Sequence, residues 1–324
     1  MTAVRRRERV RGGAARGRTA VVVHTAGSPC RCAKALAPIL RSLGWRVRLV
    51  PVEGLPAGLD FLAGAGVVLE HADTVRGEGW LRAVVRAEAE RVGALVAGPS
   101  AAAAALCDDK AATAEALRLA RVPAPRFAVL RRPGERLPRA LRPPFVVKDA
   151  FEHGSRGVRP AASRRSAEAL AAPLLRGGRP VVVQERVEGR EFAVGLLGRP
   201  LRALPPVEVL LERDGRFPLY TRKRKWAPAA AGAPRLVPAD LDAAEAQRLR
   251  GVALRAGRAL GLRDYGRIDL RRDGRGRFLV LEANPRPSLE PGTEMVRAAA
   301  LAGLDHSALV AAIVAAALAR GRRA

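Results

Sequence analysis

Glu282 and Asn284 stand two residues apart in a short apolar run, and Asp269 lies beyond a turn rich in Gly and Asp. The stretch from Tyr265 to Pro285 reads as a hairpin. Runs 266–271 and 277–283 alternate apolar and polar residues and flank a turn centred on Asp273 to Gly276. Side chains on a strand repeat every two residues, so Glu282 and Asn284 share a face, and a tight turn sets Asp269 across from Glu282. Two carboxylates and an amide oxygen converging this way form a hard, all-oxygen site. Such a site suits Mg²⁺, with part of its shell left to water and phosphate oxygens. Ile268, Leu270, Leu281 and Ala283 are expected to give the opposite face its core.

Cations suited to phosphate occur elsewhere in the chain. Phe145-Val-Val-Lys148 reads as a buried strand carrying a lysine, followed after five residues by Gly154-Ser155-Arg156-Gly157. Two glycines around a serine let a loop fold close over a ligand and turn backbone N–H groups toward phosphate oxygens. Lys110 lies near the start of a helix, where Asp108 and Asp109 offset its conflict with the helix dipole; a solvated lysine paired with those aspartates is the plainer reading. Residues 181–191 form a strand, a turn and a second strand. The backbone past the first strand can meet a purine edge, and Glu191 can reach a ribose diol.

These elements need a scaffold, and the composition bounds it. The 324 residues allow one large or two to three small domains, and 48% hydrophobic residues can bury a real core. Of 58 basic residues only Lys34, Lys110, Lys148, Lys223 and Lys225 are lysines; the rest are arginines spread along an Ala, Gly and Pro-rich chain. The net charge of +27 therefore speaks weakly for nucleic acid, and 4% aromatic content offers no stacking platform. A retained lysine hints at a site that needs a compact, rotatable charge. Three cysteines fit a reducing cytoplasm better than a disulfide framework. Cys30-Arg-Cys32 lacks the second ligand pair of a zinc site. The run 20–23 is too short for a signal-peptide core and 308–319 too short to span a bilayer, so a soluble cytoplasmic protein without membrane contact is expected.

Residues 1–18 read as a disordered basic tail. Strands at 19–25, 45–50, 67–69 and 94–96 alternate with helices to about Leu43 and around 80–91, which makes 19–99 an α/β unit with a parallel sheet. An Ala-rich helical region, 100–120, is restarted by Asp108-Asp109. Strands then follow near 144–148, 180–185 and 191–197, with a helix near 166–175. The segment 207–237 reads as irregular. A long helix near 239–260, the hairpin, and helices near 293–302 and 306–320 complete the chain.

Taken in order, the helical Asp-Lys, the strand lysine with its glycine loop, Gln184-Glu-Arg-Val-Glu-Gly-Arg-Glu191 and the Asp…Glu-x-Asn hairpin resemble the ATP-grasp superfamily. "Gly-Arg-Ile-Asp" and "Leu-Glu-Ala-Asn" look most like its D-alanine–D-alanine ligase branch. The resemblance covers about residues 95–320. It implies an ATP-grasp fold behind an N-terminal α/β pre-ATP-grasp domain, with a central lid subdomain at 100–188 and a catalytic subdomain at 189–324. The implied activity is an ATP- and Mg²⁺-dependent carboxylate–amine ligase working through an acyl phosphate on small amino-acid or peptide substrates. Two Mg²⁺ ions are implied, with Mn²⁺ as a substitute; a homodimer is allowed. Lys110, Lys148 and the loop Gly154, Ser155 and Gly157 would meet the ATP phosphates. Gln184 and the main chain of Glu185 and Val187 would meet adenine, and Glu191 the ribose. Lys223 or Lys225 would be a third phosphate lysine. Asp269, Glu282 and Asn284 would hold the metals. Arg267, with Ser155 and Lys225, would act in catalysis.

The pattern departs from the family on the acceptor side. The branch carries a glutamate-containing motif after its first strand, where this chain has Gly27-Ser-Pro-Cys-Arg-Cys32 with no carboxylate; Glu70 or Glu78 would have to reach in. Residues 288–294, Ser-Leu-Glu-Pro-Gly-Thr-Glu, replace the usual stretch after the metal strand, and Glu290 and Glu294 would repel a carboxylate there. The departures imply a ligase for another amino acid or peptide in specialised metabolism as the alternative. A basic polyanion-binding protein that kept the fold without turnover is the alternative from another class.

Overall fold

The computed structural model describes residues 18–26, 31–52, 59–152, 157–211 and 234–321. Gly154, Ser155, Lys223, Lys225, the basic tail to residue 17 and the stretch 27–30 lie outside the described residues.

A parallel sheet comes first, in the order β2-β1-β3, from β1 (Thr19–Thr25), β2 (Arg46–Val52) and β3 (Val67–Glu70). β1 is a continuous apolar run because both its faces are covered. Ala20 and Val22 face α1 (Arg31–Ser42), while Val21 and Val23 share a core with Val85 of α2 (Arg82–Arg91). The expected strand at 94–96 is only a single bridge, Val68 to Val96. Gly93 and Gly98 both take positive φ and turn the chain on either side of it.

Two short helices follow, α3 (Ala101–Asp108) and α4 (Lys110–Leu119), broken at Asp109. Asp109 makes the restart by accepting from the N–H groups of Ala111 and Ala112 at 2.8 and 3.0 Å.

The second sheet is antiparallel, in the order β4-β7-β5-β6. Its strands are β4 (Phe127–Leu130), β5 (Phe145–Asp149), β6 (Arg159–Ala161) and β7 (Val181–Glu185). Helix α5 (Arg164–Arg176) covers one face, and a capping box between Ser163 and Ser166 starts it.

The third sheet runs β11-β10-β8-β12-β13, with β9 on the side of β8. It consists of β8 (Glu191–Gly198), β9 (Arg202–Ala203), β10 (Val207–Leu210), β11 (Arg235–Pro238), β12 (Asp264–Arg272) and β13 (Phe278–Asn284). The segment 207–237 is thus not irregular at its ends, which pair as β10 and β11. Helix α6 (Ala243–Ala259) packs Leu249, Val252 and Ala256 against Ile268 and Leu270.

Helices α7 (Glu294–Leu301) and α8 (His306–Gly321) close the fold. Leu309, Val310 and Ile313 of α8 share one core with Val22 of the first sheet and Leu197 of the third. Among the described residues no single helix is long and apolar enough to cross a membrane; α7 and α8 reach that length only as a pair bent by 99°. The expected class holds: a parallel α/β layer followed by antiparallel sheets with covering helices.

Candidate active site

The register of the last hairpin sets one wall of a cleft. Asp269 lies directly across from Glu282, and Arg267 across from Asn284. The ladder then shifts so that Leu270 pairs with Val280, leaving Leu281 as the extra residue of a bulge. The bulge re-phases β13. Phe278, Val280 and Ala283 face the core, whereas Leu281 and Glu282 both line the cleft. The expectation that Leu281 belongs to the core is therefore corrected; Ile268, Leu270 and Ala283 do belong to it.

Asp269 is held from two sides. Arg267 donates from Nε to Oδ1 at 2.7 Å and from Nη2 to Oδ2 at 2.9 Å, and Asn284 Nδ2 donates to Oδ2 at 2.9 Å. The third arm of Arg267, Nη1, donates to Glu294 Oε2 at 3.1 Å. Because Asn284 turns its amide nitrogen to Asp269, its oxygen is left for another partner. Two carboxylates and an amide oxygen on one face make a donor set that fits Mg²⁺ with phosphate oxygens completing the shell. Among the described residues no group of three or more His, Cys, Asp or Glu side chains gathers as a metal cage.

The second sheet supplies the other wall. Val146 and Lys148 alternate onto the cleft face of β5, and Gln184 joins them from β7. Burial pushes the Lys148 ammonium down to about 8, with Glu282 across the cleft opposing the shift. Lys110 reaches the same cleft from the head of α4, and its Nζ donates to the Glu152 carbonyl. It is not the solvated partner of its neighbouring aspartates: Asp109 caps the helix and Asp108 pairs with Arg82 and Arg286.

Between the sheets, residues 185–191 cross from β7 to β8. Glu185, Val187 and Glu191 line the cleft. The Glu185 N–H, however, donates to the Arg126 carbonyl at 2.8 Å, so of that residue's main chain only the carbonyl can face a ligand. Burial raises the Glu191 carboxyl above its ordinary range, and Arg271 beside it opposes the shift. Gly157 forms a turn at φ +67° close to Asp149.

Arg271 and Arg186 also line this cleft, and the sequence pattern gave neither a role in the site; Leu281, expected in the core, lines it too. Alternation along β12 places Arg271 on the face of Asp269, a signal that was present. Leu281 could not be placed without the bulge.

Beyond the hairpin, two expectations are corrected. Glu70 does not reach toward a substrate. It is buried, accepts from Arg286 Nη1 and from the Ala72 N–H, and lies 3.7 Å from Arg86 Nη2. Arg286 and Arg86 hold its carboxyl low against the cost of burial. Glu294 is equally buried and engaged by Arg267, so it presents no free charge to an acceptor. Glu290 is different. It is half-buried, the Cys32 thiol lies 3.7 Å away, its own N–H donates to Ser288 Oγ at 3.3 Å, and burial pushes its carboxyl up.

The chain resembles known proteins over most of its length. The family model described as "D-ala D-ala ligase C-terminus" matches residues 120–315. An uncharacterized protein of Sinorhizobium fredii is 33% identical over 255 residues, which is 77% of this chain and 74% of that protein. A D-alanine–D-alanine ligase of Alcanivorax borkumensis is 32% identical over 286 residues, 87% of each chain. The crystal structure of D-alanine–D-alanine ligase from Bacillus anthracis complexed with ATP superposes with a TM-score of 0.77 at 16% identity, covering 94% of this chain and 99% of that one. At that identity the superposition speaks to the fold.

Proposed function

The chain belongs to the D-alanine–D-alanine ligase family, and from that premise we propose that its cleft binds ATP and Mg²⁺ and joins a carboxylate to an amine through an acyl phosphate. Membership makes it an ATP-dependent, C–N bond-forming ligase acting on small amino-acid substrates. The observation that carries the assignment of the site is the convergence of Lys110, Lys148, Asp269 and Glu282 on one cleft between two sheets.

Condensing a carboxylate with an amine in water is uphill, so the acid must be activated. Lys110 and Lys148 would draw the phosphates into the cleft and offset their charge. Asp269, Glu282 and Asn284 would hold Mg²⁺, or Mn²⁺ in its place, which when bound neutralises phosphate oxygens. Arg267 would orient Asp269 and stabilise charge on the transferring group. Gln184 and the chain around Val187 would meet adenine, with Glu191 on the ribose. Gly154, Ser155 and Gly157 would close over the phosphates, and Lys223 or Lys225 would add a third lysine. Closure matters because an acyl phosphate hydrolyses if water enters. A central lid at 100–188, a catalytic unit at 189–324, a cytoplasmic setting and a homodimer complete the reading.

The acceptor side favours an amino acid or peptide other than a D-alanine pair. Glu290 beside Cys32 and Ser288 is the observation behind this second element. The test is ADP release screened across D- and L-amino acids and short peptides, with and without Mg²⁺. Release that needs Mg²⁺ and one particular acid–amine pair is expected. No release with any pair, together with salt-sensitive retention of nucleic acid, would favour a polyanion-binding protein on this fold.

A further inference from the structure

Arg271 lines the nucleotide cleft yet belongs to none of the phosphate, metal or base contacts proposed above. It follows Asp269 by two residues on β12, so both side chains project from the cleft face. The residue is 5% exposed. Its Nε donates to Glu191 Oε2 at 2.9 Å, its Nη2 lies 2.8 Å from the same oxygen as an ion pair, and its Nη1 donates to the Val187 carbonyl at 3.0 Å. Arg271 and Glu191 are also directly opposed in the β8–β12 ladder. One rigid guanidinium therefore grips the crossing between β7 and β8 at two points, Val187 within it and Glu191 at its end.

That crossing bears the base and ribose contacts of the proposed nucleotide site. A carboxylate that is to accept from ribose hydroxyls must be held in one rotamer, and a planar fork bonded through two nitrogens does this better than a point charge. The bond to Val187 fixes the peptide plane that follows it, and with it the shape of the crossing. A lysine would supply charge without the fork, and an apolar residue neither.

We propose that Arg271 is a positioning residue for nucleotide recognition, holding the Glu191 carboxylate toward the ribose hydroxyls and the 187–191 crossing in its binding shape. The inference rests on the reading of this cleft as the ATP site.

The test is calorimetric titration of the full chain with ADP and with 2′-deoxy-ADP, for the wild type, R271M and R271K. Wild type is expected to prefer ADP by about tenfold or more, the worth of a hydrogen bond to a charged group. R271M should lose most of that preference, with ADP weakened far more than 2′-deoxy-ADP, and R271K should fall between. In turnover assays the larger share of the R271M loss should fall on KM for ATP rather than on kcat. Equal weakening of both nucleotides, or an unchanged preference in R271M, would overturn the proposal. So would a wild type that binds both nucleotides equally. Should R271M fail to fold, R271K carries the same comparison, since it keeps the charge and loses the fork. A folded wild type that binds neither nucleotide would instead sink the ATP reading of the cleft, a separate failure.

Discussion

Arg286 donates from Nη2 to Asp108 Oδ2 at 2.6 Å across 178 residues of chain, and from Nη1 to Glu70. Asp108 stands two residues before Lys110, and Arg286 two residues after Asn284. One buried guanidinium thus ties the end of α3, two residues before Lys110, the chain just past β13 and the last residue of β3. Arg82 and Arg86 complete the cluster by pairing with Asp108 and Glu70. The approach to Lys110 and the end of β13 are thus tied partly by charges that do not line the cleft.

Truncating Arg286 should therefore cost both stability and substrate affinity. R286M leaves Glu70 and Asp108 buried with one counter-charge fewer, and removing one partner of such a pair costs about 3–5 kcal/mol. Urea denaturation should show the loss, and KM for ATP should rise because Lys110 loses its reference point. A midpoint close to wild type with unchanged KM would mean that the cluster is dispensable.

Glu282→Gln should abolish ligation and leave the fold intact. The side chain lies on the cleft face opposite Asp269 and outside the core, so an amide of equal size disturbs little packing. It removes charge that the proposed Mg²⁺ needs. Turnover within about tenfold of wild type at saturating Mg²⁺, with the same melting curve, would refute the metal assignment.

How much of this was legible in the sequence depends on the range of the interaction that decides each feature. The pairing of Asp269 with Glu282 follows from strand period and turn length, both local, and it is observed. The break at Asp109 followed from local capping chemistry in the same way. Leu281 was misplaced because a bulge shifts the phase by one residue, and nothing in Phe-Leu-Val-Leu-Glu announces it. β4 was missed because prolines at 123 and 125 mask its start, while pairing with β7 decides it. The roles of Glu70 and Glu294 are set by arginines at 286 and 267, distant in sequence, so their neighbours could not show that both carboxylates were already engaged.

Lys148 should impose a pH limit on nucleotide binding. Burial lowers its ammonium to about 8 from an ordinary value near 10.5. Below that folded value the buried charge is present and opposes folding; the penalty is relieved as pH rises from about 8 through the unfolded value. Binding runs the other way, because phosphate needs the charged form. ADP affinity measured in EDTA should therefore fall as pH passes about 8, and Lys148→Arg should flatten that limb because a guanidinium keeps its proton. Lys148→Ala should raise KM for ATP and lower kcat together, whereas Lys34→Ala, exposed on α1, should do neither. Equal losses from both alanine variants would mean that general charge, not a site, governs affinity.

Free D-alanine should be a poor substrate. A primary ammonium buried in the first subsite needs a carboxylate partner, and leaving it unpaired costs several kcal/mol. Residues 31 and 32 at the start of α1 offer none, Glu70 is committed to Arg286, and Glu78 is exposed. On the acceptor side Glu290 retains a carboxyl in half-buried surroundings, where a substrate carboxylate would meet like charge as the group ionises. ADP release with D-alanine alone is thus expected to fall well below release with some other amino acid or with a blocked or larger acid. Glu290→Gln should narrow the gap by removing the repulsion. Coupled assays of ADP release, with product identified by mass spectrometry, would decide the matter. Robust D-alanyl-D-alanine formation at millimolar substrate would overturn the prediction and return the chain to the ordinary cell-wall reaction of its family.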